Sequence, residues 1–231
     1  ASKIYCVSDF IKSKFLDGFD ENVDNVHVLY NGIERLIEHF PKKNKDILFV
    51  GRLVKEKGVH LFVDAVNDIA KKFADWNFLI LGSSHLGSIE KSNKFSLNVS
   101  KKFESIGEQT KFTGFLSHDE VQQRMQTASV IVVPSIWDEP YGLVVAEAMA
   151  NGAAVIASNL GGIPEILGNN GILLDEINKD SVKNSIISLI KNKNKLAKYQ
   201  NLSWHGFSHK ASISSKKLDN FRIGIANKFF K

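Results

Sequence analysis

Short unbroken apolar runs alternate along this chain with segments whose apolar residues recur every three or four positions, and no other feature restricts the fold as much. "DILFVG" (46–51), "NFLILG" (77–82), "SVIVVPS" (129–135), "AAVIAS" (153–158) and "GILL" (171–174) read as strands buried on both faces. "VHVLYNG" (26–32) and "TKFTGF" (110–115) read as further strands. Between them, Val59, Phe62, Val63, Val66, Ile69, Ala70 and Phe73 form one helical stripe, with Asp64, Asn67, Asp68 and Lys71 on the opposite face. A more polar helix follows with Phe95, Val99, Phe103 and Ile106 inward. Ser117 and Glu120 in "SHDE" form a capping box at the start of the next. Further helices are expected around Glu147, after "GGIPE" and from about Asn178, and the first twenty residues read as a strand and a short helix capped at Ser8. Continuous apolar strands alternating with helices predict an α/β fold, a doubly wound, Rossmann-like parallel sheet covered on both faces.

Ligands of such folds bind beyond the carboxyl ends of the strands, so the residues that follow each strand are the candidates for chemistry. After "DILFV" comes a turn at Gly51, then Arg52 and Lys57 before a helix start, an arrangement suited to a diphosphate because helix N–H groups and two cations converge there. Taken alone, the same loop is equally a solvated turn rich in lysine. Ser83, Ser84 and His85 follow the next strand in a small polar turn. After "SVIVVPS", Pro140 and Gly142 shape a turn beside Glu139, Tyr141 and Leu143, again at a helix start.

Glu147 raises a separate question. It sits in "VVAEAMA", a core-facing helix, where an unsatisfied carboxylate costs several kcal/mol. Its helical neighbours three and four residues away are Leu143, Val144, Ala150 and Asn151, so no ion pair is available within the helix. Two ribose hydroxyls would satisfy it; backbone donors or water are the alternative.

In chain order, "FVGRLVKEKGV", "FTGFLSHDEV", "PSIWDEPYGLVVAEAMANG" and "SNLGGIPEIL" resemble the C-terminal, nucleotide-sugar-binding half of retaining glycosyltransferases of family four, which adopt the GT-B fold. The likeness covers residues 1 to about 205. It implies a nucleotide-diphosphate sugar as donor, transferred with retention to a glycan or lipid acceptor, in the setting of cell-envelope polysaccharide synthesis. It implies that Arg52 and Lys57, with Gly51 at the turn, bind the donor diphosphate and that Glu147 binds the ribose. Glu139 would meet the sugar hydroxyls beside the backbone N–H groups of Tyr141, Gly142 and Leu143, while Phe115 would lie near the base and Ser84 in the donor-facing turn. Catalysis would rest on Glu139, Arg52 and Lys57 through positioning and stabilisation of the departing diphosphate, without a dedicated base. Tyr141 departs from the phenylalanine common at its position. A sugar-nucleotide-binding module without turnover is the alternative function.

The family also carries an N-terminal Rossmann domain that holds the acceptor. Here "IYCVSDFIKSKFL" resembles only the end of that domain and "HVLYNGI" the linker, so the sequence is expected to be a piece of a longer chain. The expected division is residues 1–25 as the end of the N-terminal domain, 26–205 as the nucleotide-sugar domain, and 206–231 as an amphipathic C-terminal helix. That helix carries Leu218, Phe221, Ile225 and Phe229 on one stripe and Lys216, Lys217, Arg222, Lys228 and Lys231 elsewhere, suited to packing on the N-terminal domain or, as the alternative, to a membrane surface.

Composition closes off other classes. The formal charge of +5 comes from scattered lysines, and runs such as "PKKNK" are too short for a nucleic-acid stripe. No apolar run approaches the roughly 18 residues of a membrane span. One cysteine, Cys6, allows no intramolecular disulfide, which favours a reducing, cytoplasmic setting. His205 and His209 are separated by a helix-weakening Gly206, with no carboxylate near in sequence, and no metal is expected.

Overall fold

A computed structural model of the chain describes residues 3–18, 24–83 and 94–229, with side chains through residue 226. Two short strands, β1 (Ile4–Cys6) and β2 (Val26–Val28), pair in parallel as a sheet of their own, joined by helix α1 (Asp9–Leu16). As expected, Ser8 caps α1, accepting the Ile11 N–H. β2 thus belongs to this small sheet and not to the large one, a pairing its apolar pattern does not reveal.

The large sheet has six parallel strands: β3 (Asp46–Val50), β4 (Asn77–Leu81), β5 (Thr110–Phe112), β6 (Val130–Val133), β7 (Ala154–Ser158) and β8 (Ile172–Leu174). Their spatial order is β5-β4-β3-β6-β7-β8. Helices α2 (Val59–Ile69), α3 (Lys94–Glu104), α4 (His118–Thr127), α5 (Leu143–Ala150), α6 (Ile163–Leu167), α7 (Lys179–Lys191), α8 (Lys193–Gly206) and α9 (Ala211–Phe229) complete the chain. The Ser117–Glu120 capping box is present at α4, and Asn178 caps α7.

Strand side chains alternate between two cores, as the period of two requires. Ile47, Phe49, Val130, Val132 and Ile156 face one side, where Phe62, Val63, Val66 and Ile69 of α2 meet Phe103 of α3 and Ile186 of α7. Leu48, Ile131, Val133 and Val155 face the other, against Met125 of α4, Met149 of α5 and Ile166 of α6. Both faces are buried, which is why these strands read as continuous apolar runs.

The connection from β2 to β3 is pinned by cations placed on helix C-termini. Arg35 donates to the carbonyls of Ala150 and Trp204 at 3.0 and 2.6 Å, and Lys43 to those of Gln126 and Asn151 at 2.8 and 2.6 Å. One residue of the stripe expected on the last helix, Phe221, meets the small sheet. Leu218, Phe221 and Ile225 are half-buried, and the Phe221 ring lies 5.2 Å from both Tyr5 of β1 and His27 of β2. The side chain of Phe229 lies outside the described residues. Among the described residues, no helix is long and apolar enough to cross a membrane.

Candidate functional site

The strand order reverses between β3 and β6, and a crevice opens where their carboxyl ends diverge. A cavity of about 370 Å³ occupies it, lined by Gly51 and Arg52 after β3, Ser135 after β6, Lys57, and the turn from Glu139 to Val144. Val7 and Asn31, outside the large sheet, close its wall.

Backbone contacts fix the loops that carry these side chains. The turn at 55–58 packs on the segment after β6: Ile136 N–H donates to the Glu56 carbonyl at 2.9 Å. Gly58 has φ +69°, and a Cβ there would lie 1.9 Å from the Pro134 carbonyl oxygen. This approach carries Lys57 across to Glu139. Their Nζ and Oε1 are 2.5 Å apart, and Ser135 Oγ donates to the same oxygen at 2.6 Å. Glu139 is 7% exposed, and the cation and the hydroxyl on its Oε1 offset the cost of burying its carboxylate. Lys57, expected to serve an anion, is thus partly committed to a carboxylate; an ammonium has three donors, which leaves it capacity for a ligand.

Arg52 differs. It is exposed at the cavity edge, and its guanidinium makes no hydrogen bond or ion pair with a described residue. The same cavity is lined by the start of α5, where Gly142 at φ +97° turns the chain and the N–H groups of Leu143 and Val144 donate to no described acceptor. A guanidinium and helix N–H groups without described partners on one cavity are donors suited to an anion.

Glu147 lies one turn beyond Val144 on α5 but opens into a second cavity, of about 330 Å³, with His118, Asp119 and Gln122 of α4 and with Gly32 and Glu34. Its carboxylate makes no hydrogen bond or ion pair with a described residue, and burial raises its pKa from the ordinary 4.5, opposed only by the charge of His118. No described residue therefore supplies the partner from outside the helix that the sequence calls for.

The sequence model of the glycosyl transferases group 1 family matches residues 31–203. The chain belongs to this family. An uncharacterized glycosyltransferase of Methanocaldococcus jannaschii is 36% identical over 196 residues, covering 83% of this chain and 50% of that protein. Spore coat protein SA of Bacillus subtilis is 27% identical over 226 residues, covering 86% and 59%. The chain spans about half the length of the curated group 1 relatives it matches. Among solved structures, Anabaena HepE in complex with UDP superposes with a TM-score of 0.82 at 20% identity, over 97% of this chain and 64% of that one. The likeness places the sheet in the GT-B, Rossmann-like class.

Of the residues singled out from sequence, the group 1 domain gathers Gly51, Arg52, Lys57, Glu139, Tyr141, Gly142 and Leu143 around one cavity, and sets Glu147 at the next. Tyr141 is buried and its hydroxyl donates to the Asn31 carbonyl at 2.7 Å, so the side chain serves the fold while the residue lines the site. Phe115 is 50% exposed and lines neither cavity. Ser84 lies outside the described residues. Ser135, Val7 and Asn31 escaped the sequence reading, because nothing local in their segments signals a contact with a residue elsewhere in the chain. No cluster of three or more metal-ligating side chains occurs among the described residues.

Proposed function

We propose that this chain is the donor-binding half of a retaining glycosyltransferase of family four, taking a nucleotide-diphosphate sugar whose sugar passes to a glycan or lipid acceptor. The observation that carries the reading is the switch-point cavity, lined by the Arg52 guanidinium and the N–H groups at the start of α5, both without a partner among the described residues, beside the Lys57–Glu139 pair. Arg52, the remaining donors of Lys57 and the α5 N–H groups would hold the diphosphate oxygens and stabilise their charge as the sugar departs. Glu139 keeps one oxygen free of Ser135 and Lys57 for the sugar hydroxyls. Glu147 would accept from the ribose hydroxyls. The family membership supports a transferase, and HepE, solved with UDP and with UDP-glucose, supports uridine nucleotides as the first donors to try.

In this reading the acceptor binds a partner N-terminal domain across the cleft, in the cytoplasm or at its membrane face. Holding donor and acceptor in attack geometry is worth roughly 7–11 kcal/mol, so the 231-residue chain should bind donor yet label no acceptor. The test follows radiolabelled UDP-glucose with a lipid or glycan extract, with and without an N-terminal domain supplied from a group 1 relative. Label on the acceptor only when that domain is present supports the reading, and transfer by the chain alone overturns the half-enzyme part of it.

A further inference from the structure

The first turn of α1 has N–H groups to satisfy, and its own cap does not reach them all. Ser8 takes the N–H of Ile11, while those of Asp9 and Phe10 donate to the two carboxylate oxygens of Glu165, at 2.8 and 2.6 Å. Glu165 stands in the first turn of α6, 156 positions from Asp9. Meanwhile the fully buried Ser8 hydroxyl points the other way and donates to the Pro140 carbonyl at 2.5 Å. Pro140 is the residue after Glu139.

The same turn is gripped from its other side by the residues that lead into α6. Gly162 N–H donates to the Glu139 carbonyl at 2.7 Å, and a Cβ on Gly161 would lie 2.5 Å from the Glu139 nitrogen. The Tyr30 hydroxyl adds a bridge, 3.1 Å from Asp9 and 3.3 Å from Glu165. The turn bearing Glu139 is therefore held between α6 and α1, and one carboxylate joins the two.

We infer that Glu165 is a positioning residue for the donor site: by holding the N-terminus of α1 it keeps Ser8 on the Pro140 carbonyl and so fixes the turn that carries Glu139. Its two oxygens each accept one N–H, so Glu165→Gln keeps a single good acceptor and Glu165→Ala keeps none. Ser8→Ala cuts the same linkage at its other end. The two alanine changes act on one contact chain, and their effects should not add.

Two readouts test this. The first needs no ligand: backbone hydrogen exchange across 137–145 and at Gly162 should quicken tenfold or more in Glu165→Ala, less in Glu165→Gln, and not at all in Asp75→Ala, which removes an exposed carboxylate beside β4. The second rests on the donor reading. The ratio of UDP-glucose to UDP affinity should fall at least threefold in Glu165→Ala and in Ser8→Ala, because the turn holds the residue proposed to meet the sugar. A merely structural Glu165 would lower the melting temperature and leave both the local exchange pattern and that ratio as in the parent; this result overturns the inference. Should Glu165→Ala fail to fold, Ser8→Ala carries the same two measurements. Quickened exchange in a protein that binds no sugar nucleotide would sustain the positioning role and sink the donor reading instead.

Discussion

Glu139 and Glu147 flank the start of one helix, and the protein treats them oppositely. Glu139 is given Lys57, Ser135 and a turn clamped on both sides; the half-buried Glu147 carboxylate is given no described hydrogen-bond partner, and burial raises its pKa. The first arrangement preorganises a carboxylate before any ligand arrives. The second leaves a half-buried carboxylate, partly desolvated and open to a donor from outside the chain. A half-buried carboxylate with no partner among the described residues, on a cavity next to the one that holds Arg52 and Lys57, is the arrangement on which the proposed ribose contact rests.

The largest expected effect comes from breaking the satisfied end. Lys57→Ala leaves Glu139 buried without its cation, and should cost about 2–3 kcal/mol of stability as well as nucleotide affinity. Thermal melts and calorimetry read both, and adding Glu139→Gln should restore stability without restoring binding. Arg52→Ala should behave differently. The side chain is exposed and unpaired among the described residues, so stability should move by less than about 0.5 kcal/mol, while losing a charge-assisted contact of about 1.5–3 kcal/mol weakens UDP tenfold or more.

The unsatisfied end has its own pH signature. A carboxyl with a raised folded pKa favours folding in its neutral form, so stability is greatest below the ordinary Glu value and declines as pH rises through the window up to the raised one. Glu147→Gln should remove that decline, seen as a flatter curve of melting temperature against pH. Ribose hydroxyls donate to the ionised form, so UDP affinity should rise with pH across the same window and lose that rise in the variant. The smallest effect belongs to Tyr141→Phe, which frees the Asn31 carbonyl and should cost about 1 kcal/mol of stability with UDP affinity unchanged. A large loss of affinity there would mean that the hydroxyl serves ligand and not fold.

What the sequence made legible was whatever repeats locally. The stripe of α2, the continuous strands and the Ser117 capping box follow from spacing, and the strand ends then pointed to Arg52, Lys57 and Glu139. What it hid were contacts between distant segments. Lys57 meets Glu139 across 82 positions, and β2 pairs with β1 through three residues each. Glu165 reads as an acidic residue in the first turn of its own helix, yet it satisfies the N-terminus of another. Glu147 was legible as a problem, because no neighbour on its helix could pair with it. Only the structure shows that no other segment among the described residues does so either.

In the proposed function one nucleoside diphosphate spans both ends of this comparison, its phosphates at Arg52 and its ribose at Glu147. Calorimetric titration with UDP, pyrophosphate and uridine, into the parent, Arg52→Ala and Glu147→Gln, tests that directly. The parent should bind one UDP per chain; Arg52→Ala should weaken UDP and pyrophosphate but not uridine, and Glu147→Gln should weaken UDP and uridine but not pyrophosphate. No binding of UDP by the parent, or both variants weakening the same fragment alone, would contradict it.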